Sequence, residues 1–328
     1  MKNLFFAAAV VALACAGCAK EEIPAGPQDL TVRFSTEIAG VTRSAPNANA
    51  NFANGDKFSV TATQALGAAE ATSWMDNLVL TKSAEGKWSA GDSYLFMKGY
   101  KYNFAAYSPT ETVLTMDDPT AVPCTVSATL ADQRDLLYAV ASKDFTKADE
   151  TAIVEFTFNH ALTQVKFTAK TAKDYAAYYT VTIKNIALKG INSEGKLNFS
   201  DGSWALASPA VPLDYSVAYD KVLTSAEADM TTAGNDVLML IPQDPVGAKK
   251  LVVTFDVAAV AGKGDSSLTG TGKTLELNMP SKAWACGYIY TYQITLNLDA
   301  TFGWTASDIA DPTINPWKDA ADKIPVNN

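Results

Sequence analysis

Hydrophobic residues recur at every second position over short stretches of this chain, which is the pattern of half-buried β-strands. The clearest stretch covers residues 30–38, where one face carries Leu30, Val32, Phe34, Thr36 and Ile38. The same period recurs over residues 154–160, 165–167, 179–183, 237–241, 251–257, 275–279 and 288–296. Helix-period segments are nearly absent. The pattern predicts an all-β protein built from β-sandwiches.

Glycine-containing turns separate many of these stretches. Five short motifs place a glycine where a tight connection needs a positive φ angle, at Gly55, Gly86, Gly91, Gly195 and Gly202. We therefore expect each of the five to lie in a turn between strands.

The length of the chain favours two domains. It has 328 residues, of which 48% are hydrophobic and 19% charged, and a single hydrophobic core stops growing near ~250–300 residues. We place the boundary near residue 159. The N-terminal β-sandwich domain then covers residues 29–159, and the C-terminal β-sandwich domain with its tail covers residues 160–328.

The first residues are typical of a bacterial lipoprotein leader. Lys2 precedes an apolar stretch over residues 4–14, which is too short for a membrane span of ~20 residues. Small residues before Cys18 resemble a lipobox, so we predict a signal peptide over residues 1–17, lipidation of Cys18 and a linker over residues 18–28. Cys15 is the alternative acylated residue, and ordinary cleavage with free secretion is the alternative fate.

Charge and the scarcity of reactive side chains argue against several function classes. The formal net charge is −9, from 26 Lys and Arg against 35 Asp and Glu, with no basic patch, so we expect no nucleic-acid partner. His160 is the single histidine, and no nucleophile stands in a recognisable relation to it. We interpret it as a packed strand histidine and predict a protein that is not an enzyme and has no cofactor or metal.

Three further patterns have structural explanations. Residues 267–274 differ by one residue from a phosphate-binding loop, but Lys273 leads into a strand rather than a helix. Asp117 and Asp118 precede a proline, which is typical of a turn. Cys124 and Cys286 are too few for a disulfide framework, and we expect both to be buried as small apolar residues.

Six short motifs occur in an order and spacing that resembles the fimbrillin family of Bacteroidales, the lipoprotein pilins of gut and oral bacteria. They are VTR (41–43), NGD (54–56), DLLYA (135–139), FTFNHAL (156–162), LIPQD (240–244) and WACGYIY (284–290). The likeness extends over nearly the whole mature chain.

The resemblance implies two tandem transthyretin-like β-sandwich domains with Greek-key connections, and a fimbrial subunit that serves cell adhesion. In that scheme a lipid anchors the protein to the outer membrane. A trypsin-like protease then cuts after an arginine that follows the first strand and so removes lipid and strand together. A C-terminal segment of another fimbrial subunit fills the vacated groove.

Residues 30–38 match the removable strand of that scheme. Full burial of Leu30, Val32, Phe34 and Ile38 would stabilise the fold by on the order of 6–12 kcal/mol, at ~1.5–3 kcal/mol for each large apolar side chain. Arg43 follows the strand, so the bond between Arg43 and Ser44 is the predicted processing site. The alternative is that Arg43 is a solvated loop charge.

The role of residues 300–328 is left open by the sequence. Spaced apolar residues could fill pockets, while Pro312, Pro316 and Pro325 cannot donate to a β-ladder. The segment is either a donor strand or a final strand of its own domain, as in a tip subunit. The second function hypothesis is a monomeric surface lipoprotein that binds a glycan or a host protein.

Overall fold

The computed structural model describes residues 30–39, 52–110, 114, 118–147, 150–231, 237–299, 301, 303–307 and 309–317. In this part of the chain there are twenty β-strands and two short 3-10 turns, Leu130–Asp132 and Ser266–Leu268. The predicted all-β class is therefore confirmed.

A single sheet takes up most of the first half of the chain. The strands of this half are β1 (Arg33–Ile38), β2 (Lys57–Leu66), β3 (Thr72–Lys82), β4 (Trp88–Ser89), β5 (Tyr100–Ser108), β6 (Val122–Thr125), β7 (Leu137–Asp144) and β8 (Ile153–His160). All except β6 form a seven-stranded sheet in the order β1-β8-β7-β5-β2-β3-β4. β1 runs parallel to β8, and the other neighbours are antiparallel.

The second half contributes strands β9 to β20. They are β9 (Thr163–Thr171), β10 (Tyr179–Asn192), β11 (Glu194–Leu197), β12 (Trp204–Leu206), β13 (Pro212–Val222), β14 (Ala228–Asp229), β15 (Leu238–Leu240), β16 (Lys250–Ala259), β17 (Gly270–Asn278), β18 (Tyr288–Asp299), β19 (Gly303–Ala306) and β20 (Thr313–Pro316).

Three sheets include these strands. One has the order β13-β10-β16-β17, and a small one has the order β12-β11-β6. In the third, β9 and β18 are parallel central strands; β14 and β15 pair with β9, and β19 and β20 pair with β18. The C-terminal tail is thus an edge of this sheet.

Two clusters of buried hydrophobic side chains form the core. The N-terminal cluster lies between Phe52 and Phe158 in sequence and is rich in aromatic rings, while the C-terminal cluster runs from Ala105 to Trp317. Val122 and Tyr138 precede residue 159 and yet belong to the C-terminal cluster. The predicted boundary falls where β8 ends and β9 begins, and the division into two domains stays a prediction.

The predicted turn glycines are confirmed with one exception. Gly55, Gly86, Gly91 and Gly202 have φ angles between +73° and +90°. Gly195 is instead part of β11, so the prediction of a turn there is wrong. A Cβ atom at Gly195 would lie 3.0 Å from the carbonyl oxygen of Ala205. This glycine therefore permits the close approach of β12, which a local turn motif cannot reveal.

Candidate functional site

The first strand is an edge strand of the seven-stranded sheet. Among the described strands β1 pairs with β8 alone, over six residue pairs from Arg33–Ile153 to Ile38–Phe158. The amide of Arg33 donates to the carbonyl oxygen of Ala152 at 2.9 Å. In a parallel ladder alternate peptide groups point to opposite sides, so those of the even-numbered residues 34–38 point away from β8.

The residues directly before β1 pair on the opposite side. The amide of Val32 donates to the carbonyl oxygen of Tyr94, and the amide of Phe96 donates to that of Leu30, both at 2.9 Å. The stretch predicted as one strand over residues 30–38 therefore changes partner at its third residue.

The inward side chains of β1 contact the N-terminal cluster. Phe34 stacks on Phe156 at a centroid distance of 6.0 Å and meets Phe58 edge-on, also at 6.0 Å. The four apolar residues assigned to the removable strand, Leu30, Val32, Phe34 and Ile38, all pack against this cluster. The strand is therefore attached to the interior and does not lie loose on the surface.

The energy of this attachment is smaller than the sequence suggested. All four apolar side chains remain partly exposed, so the assumption of full burial is wrong. This partial exposure lowers the contribution below the roughly 6–12 kcal/mol expected for full burial. The parallel ladder to β8 adds to this contribution.

A polar contact joins the two edges of the same sheet. Thr36 on β1 is 6% exposed, and its Oγ1 accepts a hydrogen bond of 3.2 Å from Nε1 of Trp88 on β4. Because β1 and β4 are the first and last strands of the sheet, it must curve until its edges approach each other. No local pattern in the sequence indicates this contact.

The C-terminal tail pairs along β18 in its own chain. β19 pairs with residues 296–299 and β20 with residues 288–291, both antiparallel. The ladder is interrupted between Ala306 and Thr313. Pro312 falls in the interruption and Pro316 at the end of β20, which are the places where a missing amide donor costs least. Up to Trp317, the tail is thus a final strand of its own sheet.

Two buried tryptophans anchor the tail. Trp304 meets Tyr175 edge-on at 5.3 Å and donates from Nε1 to the carbonyl oxygen of Leu268 at 3.1 Å. Trp317 is 4% exposed, and its amide donates to the carbonyl oxygen of Gly287 at 2.8 Å. The anchors lie at opposite ends of the tail.

The ring of Trp317 stacks on His160, the last residue of β8. The ring centroids are 4.0 Å apart and the planes differ by 10°. Nδ1 of His160 lies 2.9 Å from Oδ2 of Asp135. Since a carboxylate only accepts, Nδ1 carries the proton. The interpretation of His160 as a packed strand residue agrees with this geometry, but its partners Asp135 and Trp317 were missed.

The predicted modification residues lie outside the described part of the chain. These are Cys18, Arg43 and Ser44, so lipidation and processing stay predictions. The other two arginines are both held by main-chain contacts. The Arg33 amide is in the ladder with β8, and Nη1 of Arg134 donates to the carbonyl oxygens of Ala131 and Gln133 at 2.6 and 2.8 Å.

Two of the patterns that the sequence analysis explained structurally, those of Lys273 and Asp118, can be compared with the structure. Lys273 lies within β17 rather than at a helix start. Asp118 accepts hydrogen bonds from the hydroxyl and the amide of Thr120, and these lower the pKa of its carboxyl. Within the described ranges, no group of three or more His, Cys, Asp or Glu side chains is arranged to hold a metal ion.

Both described cysteines are free thiols. Burial raises the pKa of the Cys124 thiol to about 12 and that of Cys286 to about 11. Their neutral forms are poor nucleophiles. Cys124 is buried as expected, whereas Cys286 is only partly so, which corrects that expectation; its Sγ donates to the carbonyl oxygen of Gly202 at 3.2 Å.

The fold is that of an all-β protein of the β-sandwich class, in which the first described strand and the C-terminal tail both lie at sheet edges. The profile of the fimbrillin-like family matches residues 42–317. The chain therefore belongs to the fimbrillin-like family, and the resemblance seen in the sequence is confirmed.

Solved structures with the same fold come from Bacteroides species. A fimbrial protein from Bacteroides vulgatus has a TM-score of 0.62 at 15% identity, covering 88% of this chain and 99% of that one. A candidate cell adhesion protein from Bacteroides ovatus has a TM-score of 0.53 at 20% identity, covering 87% and 97%. At such identities the likeness concerns the fold alone. No curated protein matches the chain.

Proposed function

We propose that this protein is a fimbrial subunit, exported as a surface lipoprotein and assembled by strand exchange, that serves cell adhesion. Membership of the fimbrillin-like family supports a structural role in fimbriae rather than catalysis. The observation that carries the proposal is β1, an edge strand whose inward side chains contact the N-terminal cluster.

Removal of β1 would open a groove that another strand can fill. Phe34 contacts Phe58 and Phe156, so its departure would expose aromatic surface together with the main-chain edge of β8. An incoming strand restores both the ladder and the alternate side-chain pockets. The partner is another fimbrial subunit.

Processing is assigned to the bond between Arg43 and Ser44. A cut there separates residues 18–43, including Cys18 and β1, from the rest of the mature chain. Proteases prefer exposed loops over paired strands, and the contacts of Arg33 and Arg134 make these two arginines poorer targets. A trypsin-like protease at the cell surface would thus release the lipid anchor and the first strand in one step.

The Arg43→Ala variant tests this assignment. We expect it to stay uncut, to keep a lipidated Cys18 as its first residue and to lose the ladder of polymers on a gel. Arg134→Ala is the matched control and should polymerise like the wild type. A normal polymer ladder from Arg43→Ala contradicts the proposal.

A monomeric surface lipoprotein that binds a glycan or a host protein is the second candidate. It is favoured by the tail, which pairs with β18 of its own chain up to Trp317. The mass and first residue of the protein from the cell surface separate the two. A start at Ser44 supports assembly, and a lipidated start at Cys18 with no polymer supports the monomeric binder.

A further inference from the structure

The strand β8 contacts both terminal segments of the chain. Along its length it pairs with β1 over six residues. At its end, His160 stacks on Trp317, the last described residue of the tail. The two segments are therefore separated by one strand, although they are edges of different sheets.

The pairing of β8 depends mainly on β1. Its register with β7, the other neighbour, comprises only the pairs Leu137–His160 and Tyr138–Asn159. Without β1, residues 153–158 would lose their main-chain partners among the described strands, and only the last two residues of β8 would stay paired. His160 would keep its pair with Leu137, but it would lie at the end of a strand that is otherwise loosened.

The tail depends in turn on His160. β20 has four residues, and Pro316 has no amide to donate. Trp317, next to it, is held by the hydrogen bond that its amide donates to the carbonyl oxygen of Gly287 and by the stack on the imidazole. Asp135 fixes the ring from the other side and is a positioning residue. A displaced imidazole would leave this end of the tail with a short ladder.

We propose that β8 couples the two terminal segments, so that loss of β1 loosens the C-terminal tail through the contact between His160 and Trp317. The inference deepens the proposed strand exchange and rests on it for its purpose: processing would make a subunit ready to accept a strand and to release its tail in one event. The tail would then have two positions, packed and released, and the presence of β1 would favour the packed one.

Hydrogen exchange of the full-length purified monomer tests the coupling. The readouts are the amides of β8 and those of residues 314, 315 and 317, with β19 as an internal reference. Phe34→Ala weakens β1, and we expect exchange of both β8 and β20 to accelerate about five-fold or more, because opening of local units sets these rates. Val32→Ala is the milder substitute if Phe34→Ala does not fold.

Met75→Ala is the matched control. Met75 is 1% exposed and belongs to the same N-terminal cluster, but it lies on β3, which β7, β5 and β2 separate from β8. It should lower stability without accelerating exchange in β20. Equal acceleration in β20 by both variants, or acceleration of β8 without β20 in Phe34→Ala, overturns the coupling.

Variants of His160 identify the contact that transmits the effect. In His160→Ala, exchange of β20 should already be fast, and adding Phe34→Ala should accelerate it no further. His160→Phe keeps a ring against Trp317 and should restore the dependence on Phe34. If the alanine variant leaves the dependence intact, the route through His160 is wrong. Polymer formation is read separately with Arg43→Ala, so the two proposals can fail independently.

Discussion

The first strand and the C-terminal tail are both edges of a sheet, but they are held in different ways. β1 has an unbroken ladder of six pairs and places Phe34 among aromatic rings. The tail has two ladders of four residues and a tryptophan near each end. A strand whose side chains belong to a core leaves only when that core is exposed, whereas a segment fixed at two points can open locally. We therefore expect β1 to stay in place in the intact chain, whereas the tail can open locally.

The largest effect is expected from Phe34→Ala. Removal of a fully buried aromatic ring costs about 3–5 kcal/mol, and because Phe34 is partly exposed we expect a loss of about 2–3 kcal/mol in the free energy of unfolding. Urea denaturation measures this loss. Val79→Ala, at a side chain that is 44% exposed, is the control and should change stability by less than about 0.5 kcal/mol. A similar small change for Phe34→Ala would mean that β1 is not part of the core.

Trp317→Ala tests how firmly the C-terminal tail is held. Although the ring is buried, we expect the free energy of global unfolding to fall by only about 1 kcal/mol, because the tail can open before the rest unfolds. The remaining cost should be visible as faster hydrogen exchange in β20. A global loss as large as that of Phe34→Ala would show that the tail and the core unfold together.

Thr36→Val should have a smaller effect on the same edge as Phe34. The variant keeps the shape of the side chain but removes the acceptor for Nε1 of Trp88, which costs about 0.5–1.5 kcal/mol. Urea denaturation and the fluorescence of Trp88 report the change. Unchanged stability would mean that the contact between β1 and β4 does not help to hold the first strand.

Gln164→Leu has the smallest expected effect, and of opposite sign. Gln164 is fully buried on β9, beside the strand that the tail covers, and its amide has no hydrogen-bond partner in the described part of the chain. A leucine should raise the free energy of unfolding by about 0.5–1 kcal/mol. Gln133 is equally enclosed, but it donates to Ser127 and accepts from Met239, so Gln133→Leu should destabilise. A destabilising Gln164→Leu would indicate a partner for its amide.

Strand positions could be predicted because they depend on local alternation of polar and apolar residues. The inward face of β1 and the long strand β18 follow directly from this period. The start of β1 could not be placed correctly, since the change of partner at Val32 depends on residues 94–96. Gly195 was misassigned for a similar reason: the close approach of β12 is a tertiary contact, and a Glu-Gly-Lys motif is also common in turns.

The contacts that matter for the site were harder to foresee. His160 and Trp317 lie 157 positions apart in the sequence, and no local motif around either residue predicts their contact. The sequence leaves the arrangement of the tail open, because three prolines argue against a continuous strand. In the structure Pro312 lies in the interruption of the ladder and Pro316 at its end, where a missing amide donor costs least.

The parallel register of β1 and β8 has a mechanical consequence. Both strands run in the same direction, so a pull on the chain before Leu30, directed back along β1, loads the six pairs of the ladder together instead of opening them one at a time. Under such a pull, the packing of Phe34 against the neighbouring aromatic rings would oppose sliding of β1. A cell-surface tether attached at this end would therefore resist tension for as long as the peptide bond after the first strand remains whole.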